Sequence, residues 1–466
     1  MRLPLLPLTA LLVGLTAPLG SQVPAAPPLA ILGATLWDGT GAPAVPDAVV
    51  LVQDGTVTCA GTRRACPVPR NATRVDATGR WLLPGLIDTH VHLLFRVGGR
   101  TDPSLRTDLR DLLARGITTV RDMGTNPSRL REEVDSAGPA APRVFAMQLV
   151  AGIRFFGPER ERTEDGFIRM HAPQANGMRQ LGWFPLMLTT ASEAPEVVQK
   201  AIAGGAIGLK LYQDLDSAQV AALVQAAHAV GMPVWGHAWV QPASVLEQAT
   251  AGQDGVVHAA GLVGELLDHY ARDSLRTSSY LLRITADSAT GTSAHAPAVL
   301  AALDTLAARG TFLEPTLHVA ELSARRAGAH RRPVPTLPDR YALAAGTFGV
   351  AVTREAVARG VRLTAGTDHT AYGPPSERAM LTEELRLFVD SLGLAPARAL
   401  LAATRDAAIA IGPVAKDLGT IAPGKRADLL LLRADPLADI TNLTQVEWVM
   451  REGVPRSPRD AVPPPP

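Results

Sequence analysis

Short apolar segments alternate with longer segments of helical period through the middle of the chain, and this alternation constrains the fold more than any other feature. It is typical of a parallel α/β architecture, in which a helix carries the chain from one strand to the next. The strand candidates are Leu82–His90, Ile117–Arg121, Val144–Leu149, Ile207–Tyr212, Pro233–His237, Gly255–His258, Thr311–Pro315 and Val361–Asp368. Eight such strands predict a closed (β/α)8 TIM barrel.

The chain is long for a single core, with 466 residues, which favours a barrel plus a smaller companion domain. Short apolar runs broken by turn residues precede the barrel and return after Pro423-Gly424, so we predict a small β-sandwich domain formed by both chain ends. The predicted divisions are a signal peptide at 1–25, β-sandwich segments at 28–80 and 405–455, the barrel at 81–404 and a proline-rich tail at 456–466.

The N-terminus has the features of an export signal. Arg2 precedes an apolar run, Leu3–Leu19, that prolines interrupt. The run is short for a bilayer-spanning helix, so a cleaved signal is favoured over a membrane anchor, and a periplasmic or extracellular location is expected. In an oxidising compartment Cys59 and Cys66 could pair, whereas the alternative is two free thiols.

Charge gives no reason to expect a polyanionic partner. The chain has 45 Lys and Arg against 44 Asp and Glu, a formal net charge of +1. Such a balance provides no basic field for nucleic acid or an anionic membrane. We therefore expect a small-molecule substrate, no nucleic acid and no stable membrane anchor, and we leave a homo-oligomer open.

Two histidines, His90 and His92, end the first apolar segment and are separated by one residue. Because side chains alternate along a strand, both face the barrel interior, where neutral imidazoles can bind a metal ion. A single H-x-H pair is also common as a structural pattern. The other strand ends must decide between these interpretations.

Lys210 lies in an apolar segment, Ala206–Tyr212, that would otherwise reject a charge. The chain has three other lysines, at 200, 416 and 425, and uses arginine for most of its positive charge. Burial lowers the pKa of a lysine, and the neutral amine can take up carbon dioxide as a carbamate that bridges two metal ions. The alternative is a lysine paired with a nearby carboxylate.

Three more polar residues end later apolar segments: His237, His258 and Asp368. One such histidine is more often a hydrogen-bonded core residue than a ligand, but two at the same position of consecutive units favour ligands. A buried carboxylate at the end of the last segment needs a cation or a donor nearby. We interpret all three as metal ligands.

Two residues are predicted to contact substrate. Tyr212 follows Lys210 by two positions and shares its face of the strand, so it could donate to a substrate oxygen, the alternative being a packing residue at the rim. His318 follows the seventh apolar segment and could also face substrate. The irregular segments 151–185 and 261–305 are predicted to cover the barrel mouth, where specificity would reside.

In this order and on these strands, the ligand candidates resemble those of the amidohydrolase superfamily. The flanking sequences are similar to its imidazolonepropionase-like and Xaa-Pro dipeptidase-like branch, and the resemblance covers residues 30–453. These sequences are Pro84-Gly-Leu-Ile-Asp88, Gly116-Ile-Thr-Thr-Val-Arg-Asp122, Gly366-Thr-Asp368 and Gly419-Thr-Ile-Ala-Pro-Gly-Lys-Arg-Ala-Asp-Leu429.

The resemblance implies a distorted (β/α)8 barrel that binds two zinc ions per chain. By this resemblance His90, His92 and Asp368 hold the first ion and His237 and His258 the second, while a carboxylated Lys210 and a hydroxide bridge them. Imidazolonepropionases lack the bridging lysine and use one metal. Lys210 therefore favours the binuclear, peptidase-like group.

The expected reaction is hydrolysis of a C–N bond, the amide of a dipeptide or an N-acyl amino acid. The bridging hydroxide would attack the carbonyl, and Asp368 would take its proton and deliver it to the leaving amine. The alternatives are a mononuclear imidazolonepropionase- or deaminase-like hydrolase of a cyclic C–N bond, a lactonase or esterase using the same site, and a metal-free binding protein on the same scaffold.

Overall fold

The computed structural model describes residues 27–94, 104–156, 185–238, 240–266, 292–329, 337–370 and 380–457. The predicted signal peptide lies outside these residues. So do nearly all of the predicted tail and much of the two segments predicted to cover the barrel mouth.

The N-terminal part of the described chain forms five strands of a sheet that is separate from the barrel. Strands β1 to β3 pair antiparallel, and β1 also pairs in parallel with β4 and β5, so the sheet is mixed. Cys59 in β3 is joined to Cys66 by a disulfide with a Cα–Cα distance of 5.7 Å. The strands are β1 Leu29–Leu36, β2 Val45–Gln53, β3 Thr56–Thr62, β4 Thr73–Asp76 and β5 Trp81–Pro84.

The barrel sheet is parallel and confirms the predicted α/β barrel. Its strands neighbour one another in the order β6, β7, β8, β10, β11, β12, β13 and β14, with β9 beside β8. They are β6 Leu86–His92, β7 Ile117–Asp122, β8 Arg143–Gly152, β9 Leu186–Leu188, β10 Gly208–Leu211, β11 Val234–His237, β12 Gly255–Val257, β13 Phe312–Glu314, β14 Arg362–Leu363 and β15 His369–Thr370.

The eighth barrel strand is interrupted, although the sequence predicted one strand over Val361–Asp368. Its first part, β14, pairs with β13, and its second part, β15, pairs with β6. Between them, the Ala365 carbonyl accepts a hydrogen bond from the Thr89 N–H at 3.1 Å. The interrupted strand thus joins the last strand of the barrel to the first.

The first predicted strand, Leu82–His90, is also two strands, and the prediction of a single one was wrong. The chain changes sheets at Gly85, between β5 and β6. A Cβ at Gly85 would lie 2.2 Å from Thr118 Oγ1, so only glycine fits this close approach. An apolar run alone cannot show such a change of sheet.

Helices follow most of the barrel strands. Capping boxes begin the helices at Ser217 and Val245, and left-handed glycines end those at Gly204 and Arg309. The helices are α1 Ser104–Ala114, α2 Pro127–Ala137, α3 Ile153–Phe156, α4 Ala194–Gly204, α5 Ser217–His228, α6 Val245–Thr250, α7 Pro297–Arg309, α8 Leu317–Ala329, α9 Leu337–Ala358, α10 Leu381–Asp390, α11 Pro396–Ala402 and α12 Arg405–Ile411.

Six short 3-10 helices also occur in the described residues: Gly138–Ala140, Ala191–Glu193, Ala259–Leu266, Thr292–His295, Pro413–Ala415 and Ile440–Thr444. Within the described part of the chain, no helix has both the length and the apolar character needed to cross a membrane.

The C-terminal strands complete the first sheet. β16 pairs antiparallel with β5 and with β17, and β17 pairs with β18. The prediction that both chain ends build one β unit is therefore confirmed, as an eight-stranded sheet. Before these strands, α12 packs on the barrel, with Ala407 and Ile411 against Ile87 of β6. The strands are β16 Leu429–Leu432, β17 Val446–Arg451 and β18 Val454–Arg456.

Candidate metal centre

Three of the predicted ligands meet where β6 and the interrupted eighth strand lie side by side; we call His90, His92 and Asp368 the first ligand cluster. Asp368 Oδ1 lies 3.4 Å from His90 Nε2 and 3.2 Å from His92 Nε2, and the two Nε2 atoms are 3.3 Å apart. Tetrahedral ligands about 2.1 Å from a zinc ion are separated by about 3.4 Å. The three atoms therefore have the spacing of ligands to one ion.

The other three predicted ligands, Lys210, His237 and His258, end or follow the neighbouring strands β10, β11 and β12; we call them the second ligand cluster. The ring centroids of His237 and His258 are 4.7 Å apart, and those of His258 and His90 are 5.0 Å apart. The two clusters are thus adjacent. Lys210 is 1% exposed, and its Nζ has no hydrogen-bond partner among the described residues.

Several residues at or shortly after the ends of the barrel strands have a left-handed backbone conformation. Five non-glycine residues there have positive φ, a conformation that costs on the order of 1–3 kcal/mol each. Such strain is concentrated at functional sites when the surrounding structure enforces it. The five are Asp214 at 63°, Gln241 at 46°, His258 at 65°, Thr316 at 52° and Asp368 at 54°.

Burial favours the neutral forms of the nitrogen side chains in the second cluster. It lowers the pKa of Lys210 to about 7, although the negative charges of Glu314 and Asp368 oppose the shift. It also lowers the pKa of His258 to about 3 and that of His237 well below its ordinary value. Neutral imidazoles are the form that binds metal, and a neutral amine is the form that reacts with carbon dioxide.

The carboxyl group of Asp368, in contrast, is stabilised in its charged form. Burial alone would raise its pKa, but the neighbouring His90 and the hydrogen bond from His92 lower it below the ordinary value. The side chain is therefore a carboxylate, able both to bind a cation and to accept a proton.

These residues fit a metal site. Imidazole nitrogens and carboxylate oxygens are ligands that zinc and similar ions accept. The buried Lys210 Nζ, which has no hydrogen-bond partner in the described structure, would gain ligand oxygens by becoming a carbamate. The donor set of both clusters is consistent with bound metal.

The two predicted substrate contacts lie in different surroundings. Tyr212 is beside the second cluster, with its ring centroid 4.4 Å from that of His237, and burial raises its pKa so that the hydroxyl stays protonated. His318 is buried at the start of α8, and its Nδ1 accepts a hydrogen bond from the Met380 N–H at 3.0 Å. The described hydrogen bonds of His318 reach neither cluster, so its contact with substrate stays a prediction.

Sequence reasoning missed a buried ion pair beneath the first cluster. Glu314, at the end of β13, has Oε1 2.7 Å from His90 Nδ1, and Arg121 of β7 has Nη2 3.2 Å from Glu314 Oε2. Burial would raise the pKa of Glu314, but His90 and Arg121 lower it to about 2. The sequence contained a sign of this pair, because Arg121 and Glu314 are charged residues at the ends of apolar segments.

The packing around this pair is close. At Gly366, in the interruption of the eighth strand, a Cβ would lie 2.5 Å from Glu314 Cδ and 2.6 Å from His90 Cβ. Nearby, Asp88 is fully buried and accepts from Thr367 Oγ1 at 2.7 Å and from the Thr367 N–H at 3.1 Å. These contacts fix the interrupted strand against β6 and so position Asp368.

Comparison with known proteins gives matches over most of the chain. The model of the amidohydrolase family matches residues 81–455. An imidazolonepropionase of Caulobacter vibrioides is 27% identical over 247 residues, which are 44% of this chain and 57% of the relative, so the match spans little more than half of that relative's length. An imidazolonepropionase of Ralstonia nicotianae is 26% identical over 458 residues, 90% of this chain and 95% of the relative.

The fold comparison agrees. The crystal structure of a Xaa-Pro dipeptidase with methionine bound in its active site superposes with a TM-score of 0.69 at 21% identity. The match covers 92% of this chain and 100% of that one. The arrangement of barrel and end sheet is therefore shared along nearly the whole chain.

Proposed function

The chain belongs to the amidohydrolase family, and from this premise we propose that it hydrolyses the amide bond of a dipeptide or an N-acyl amino acid, with metal held by both ligand clusters. The family match and the named relatives support the coarser statement that it is a metal-dependent hydrolase acting on C–N bonds. The observation that carries the proposal is that His90, His92 and Asp368 have the spacing of ligands to one ion, with His237 and His258 beside them and Lys210 Nζ buried without a hydrogen-bond partner among the described residues.

His90, His92 and Asp368 would hold one ion and His237 and His258 a second, and Lys210, as a carbamate, would supply oxygen ligands. In forming it, the neutral amine of Lys210 adds to carbon dioxide and releases one proton. Bound metal would polarise the scissile carbonyl and acidify the attacking water. Zinc is the ion that we propose, because the donors are nitrogen and oxygen atoms at tetrahedral spacing.

Asp368 is the proposed general base and acid. As a carboxylate at the meeting point of the clusters, it can accept the proton of the attacking water at a carboxylate oxygen and then deliver it to the leaving amine nitrogen. The reaction then needs no nucleophilic side chain. The C–N bond breaks as that nitrogen gains the proton.

Tyr212 is the proposed donor to substrate. Its hydroxyl stays protonated, and its ring is packed between those of His237 and Phe155, at centroid distances of 4.4 Å and 5.3 Å. A fixed donor beside the second cluster can bind the carbonyl oxygen as negative charge develops on it, or the substrate carboxylate.

A second candidate function is hydrolysis of a cyclic C–N bond by a single metal ion. Its specific support is the match to an imidazolonepropionase over 90% of this chain. In this alternative Lys210 stays an unmodified amine. The two candidates therefore differ in metal count as well as in substrate.

We also propose that the protein is exported to the periplasm or the extracellular space. Support comes from the basic residue and apolar run at the N-terminus and from the Cys59–Cys66 disulfide, a bond typical of oxidising compartments.

One experiment separates the two functions. Purified holoenzyme is assayed against matched sets of dipeptides, N-acyl amino acids and cyclic imides or lactams, and its metal content is measured by mass spectrometry. The proposal predicts turnover of linear amides with about two metal ions per chain, as in two-metal hydrolases. Activity confined to cyclic substrates with about one ion per chain would support the second candidate instead, and a metal-free, inactive protein would refute both.

A further inference from the structure

The two ring nitrogens of His90 have different partners. Nε2 faces the first cluster, 3.3 Å from His92 Nε2 and 3.4 Å from Asp368 Oδ1, whereas Nδ1 lies 2.7 Å from Glu314 Oε1. A carboxylate can only accept a hydrogen bond, so Nδ1 carries the hydrogen in a neutral ring. The lone pair of Nε2 is then directed at the cluster.

Glu314 is held in the orientation that this contact requires. Its other oxygen, Oε2, accepts from Arg121 Nη2 at 3.2 Å and from Thr364 Oγ1 at 3.3 Å, and Thr89 Oγ1 donates to it as well. Both oxygens are therefore occupied. The carboxylate cannot turn away from His90 without breaking several hydrogen bonds inside the protein.

Arg121 is fixed in turn. It is fully buried, with Nε donating to the Thr89 carbonyl at 2.8 Å and Nη1 to the Ala410 carbonyl at 3.1 Å. Its guanidinium carbon lies 3.8 Å from the centroid of the Trp235 ring. A buried ion pair contributes little net stability, because the cost of removing both charges from water offsets their attraction. Packing alone gives no reason to prefer this pair over two apolar residues.

We propose that Arg121 and Glu314 form a positioning pair that fixes the Nδ1–H tautomer of His90 and thereby sets the metal affinity of the first ligand cluster. The inference rests on the proposed metal-dependent function and adds a role for two residues that are not themselves ligands. Carboxylates that bind the outer nitrogen of a metal-bound histidine change metal affinity by about 10- to 100-fold. In the second cluster, His258 Nδ1 instead lies 2.9 Å from Thr316 Oγ1, so the larger effect should be on the first cluster.

The test is a metal titration of the full-length Glu314→Gln variant against a competing chelator. Glutamine keeps the size of the side chain but removes the charge and can present a donor to Nδ1. We expect the binding step of the first cluster to weaken by about 10- to 100-fold and the other step to change by less than about threefold. Repeating the titration in His237→Ala, which lacks a ligand of the second cluster, identifies which step belongs to which cluster.

A matched control is available. Glu384 is also a fully buried glutamate, but it accepts from the backbone N–H groups of Leu317 at 2.9 Å and His318 at 2.6 Å. Glu384→Gln should leave both metal affinities unchanged. Equal weakening in Glu314→Gln and Glu384→Gln, or no weakening in either, would overturn the positioning role.

A second variant keeps the test decisive if Glu314→Gln does not fold. Arg121→Lys retains the positive charge but loses the planar group that holds Glu314, and we expect roughly tenfold weaker binding at the first cluster. Wild-type affinity in a folded Arg121→Lys protein would contradict the inference. Because the readout is metal affinity, a chain that binds metal yet hydrolyses no linear amide would refute the proposed function and leave this test intact.

Discussion

In the first ligand cluster, Asp368 Oδ1 lies within 3.4 Å of the Nε2 atoms of His90 and His92. The other ring nitrogen of His90, Nδ1, lies 2.7 Å from Glu314 Oε1. In the second ligand cluster His258 is bound by Thr316 at 2.9 Å, whereas Lys210 Nζ is buried and has no hydrogen-bond partner in the described part of the chain. The same barrel mouth thus contains one cluster whose candidate ligand atoms already have the spacing of a metal site and one with a buried amine that has no hydrogen-bond partner among the described residues.

This difference indicates how the centre is assembled. The first cluster has the geometry of a metal site from protein contacts alone. We expect the second to become complete when Lys210 gains oxygen atoms, because a buried polar nitrogen without a partner is costly. We therefore expect the first cluster to depend on its supporting residues and the second to depend on the modification of Lys210.

The largest effect should come from breaking the first cluster at Asp368. Asp368→Asn removes both the proton acceptor and the charged ligand, so we expect kcat/KM to fall by about 10²- to 10⁴-fold. Steady-state kinetics with a linear amide substrate measure this. Asp304→Asn, an exposed aspartate on α7, is the control and should be fully active. Full activity of metal-loaded Asp368→Asn would exclude the assigned role.

Breaking the second cluster at Lys210 should have the next largest effect. Lys210→Ala should lose about one of two metal ions and about 10²- to 10³-fold in kcat, because one Lewis acid is removed. Short carboxylic acids should replace the carbamate and so restore part of the metal content and part of kcat. Lys200→Ala, at an exposed lysine that pairs with Glu196 on α4, is the matched control. Undiminished metal content in Lys210→Ala would argue against a bridging carbamate.

Removing the hydroxyl beside the second cluster should have a smaller effect. For Tyr212→Phe we expect a loss of about 10- to 100-fold in kcat, the value of one hydrogen bond to a charged group. Metal content should stay at the wild-type level because Tyr212 is not a proposed ligand. If kcat is unchanged, Tyr212 is a packing residue at the rim, as the sequence also allowed.

The smallest predicted effect is on thermal stability. It comes from Glu384, a second buried glutamate, which accepts a hydrogen bond from the backbone N–H of His318. Burial raises the pKa of Glu384 from 4.5 to about 8, whereas Arg121 and His90 lower that of Glu314. A raised pKa means that stability is highest below pH 4.5 and is lost as pH rises through about 8. Glu384→Gln removes this loss. The Tm difference between the variant and wild type should therefore be ~2–5 °C larger, in favour of the variant, at high pH than at low pH.

Thermal unfolding of both proteins across this pH range gives the comparison. At low pH the wild-type carboxyl is protonated and resembles the amide, so the two Tm values should differ least there. A difference in Tm that does not change with pH would show that Glu384 does not titrate in this window.

Much of the fold could be predicted, and six ligand candidates could be proposed, because the signals are local in sequence. An apolar segment with a His, Lys or Asp in or at the end of it indicates both a buried strand and a polar residue near the strand's end. Strands of a parallel barrel end at the same mouth, so local patterns sufficed to bring His90, Lys210, His237 and Asp368 together.

The remaining features depend on contacts between distant segments. The bond between Glu314 and His90 joins residues 224 positions apart, and no spacing in the sequence shows it. The change of sheet at Gly85 depends on the close approach of Thr118, and the interruption of the eighth strand depends on Asp88 binding Thr367. These features are set by packing across the barrel rather than by the pattern along one strand.

The most direct test of the account is anomalous diffraction from crystals of the metal-loaded protein, recorded at the absorption edge of the bound metal. We expect two peaks, one between His90, His92 and Asp368 and one between His237 and His258, with additional density on Lys210 Nζ lying between them. A single peak at the first cluster with unmodified Lys210 would contradict it.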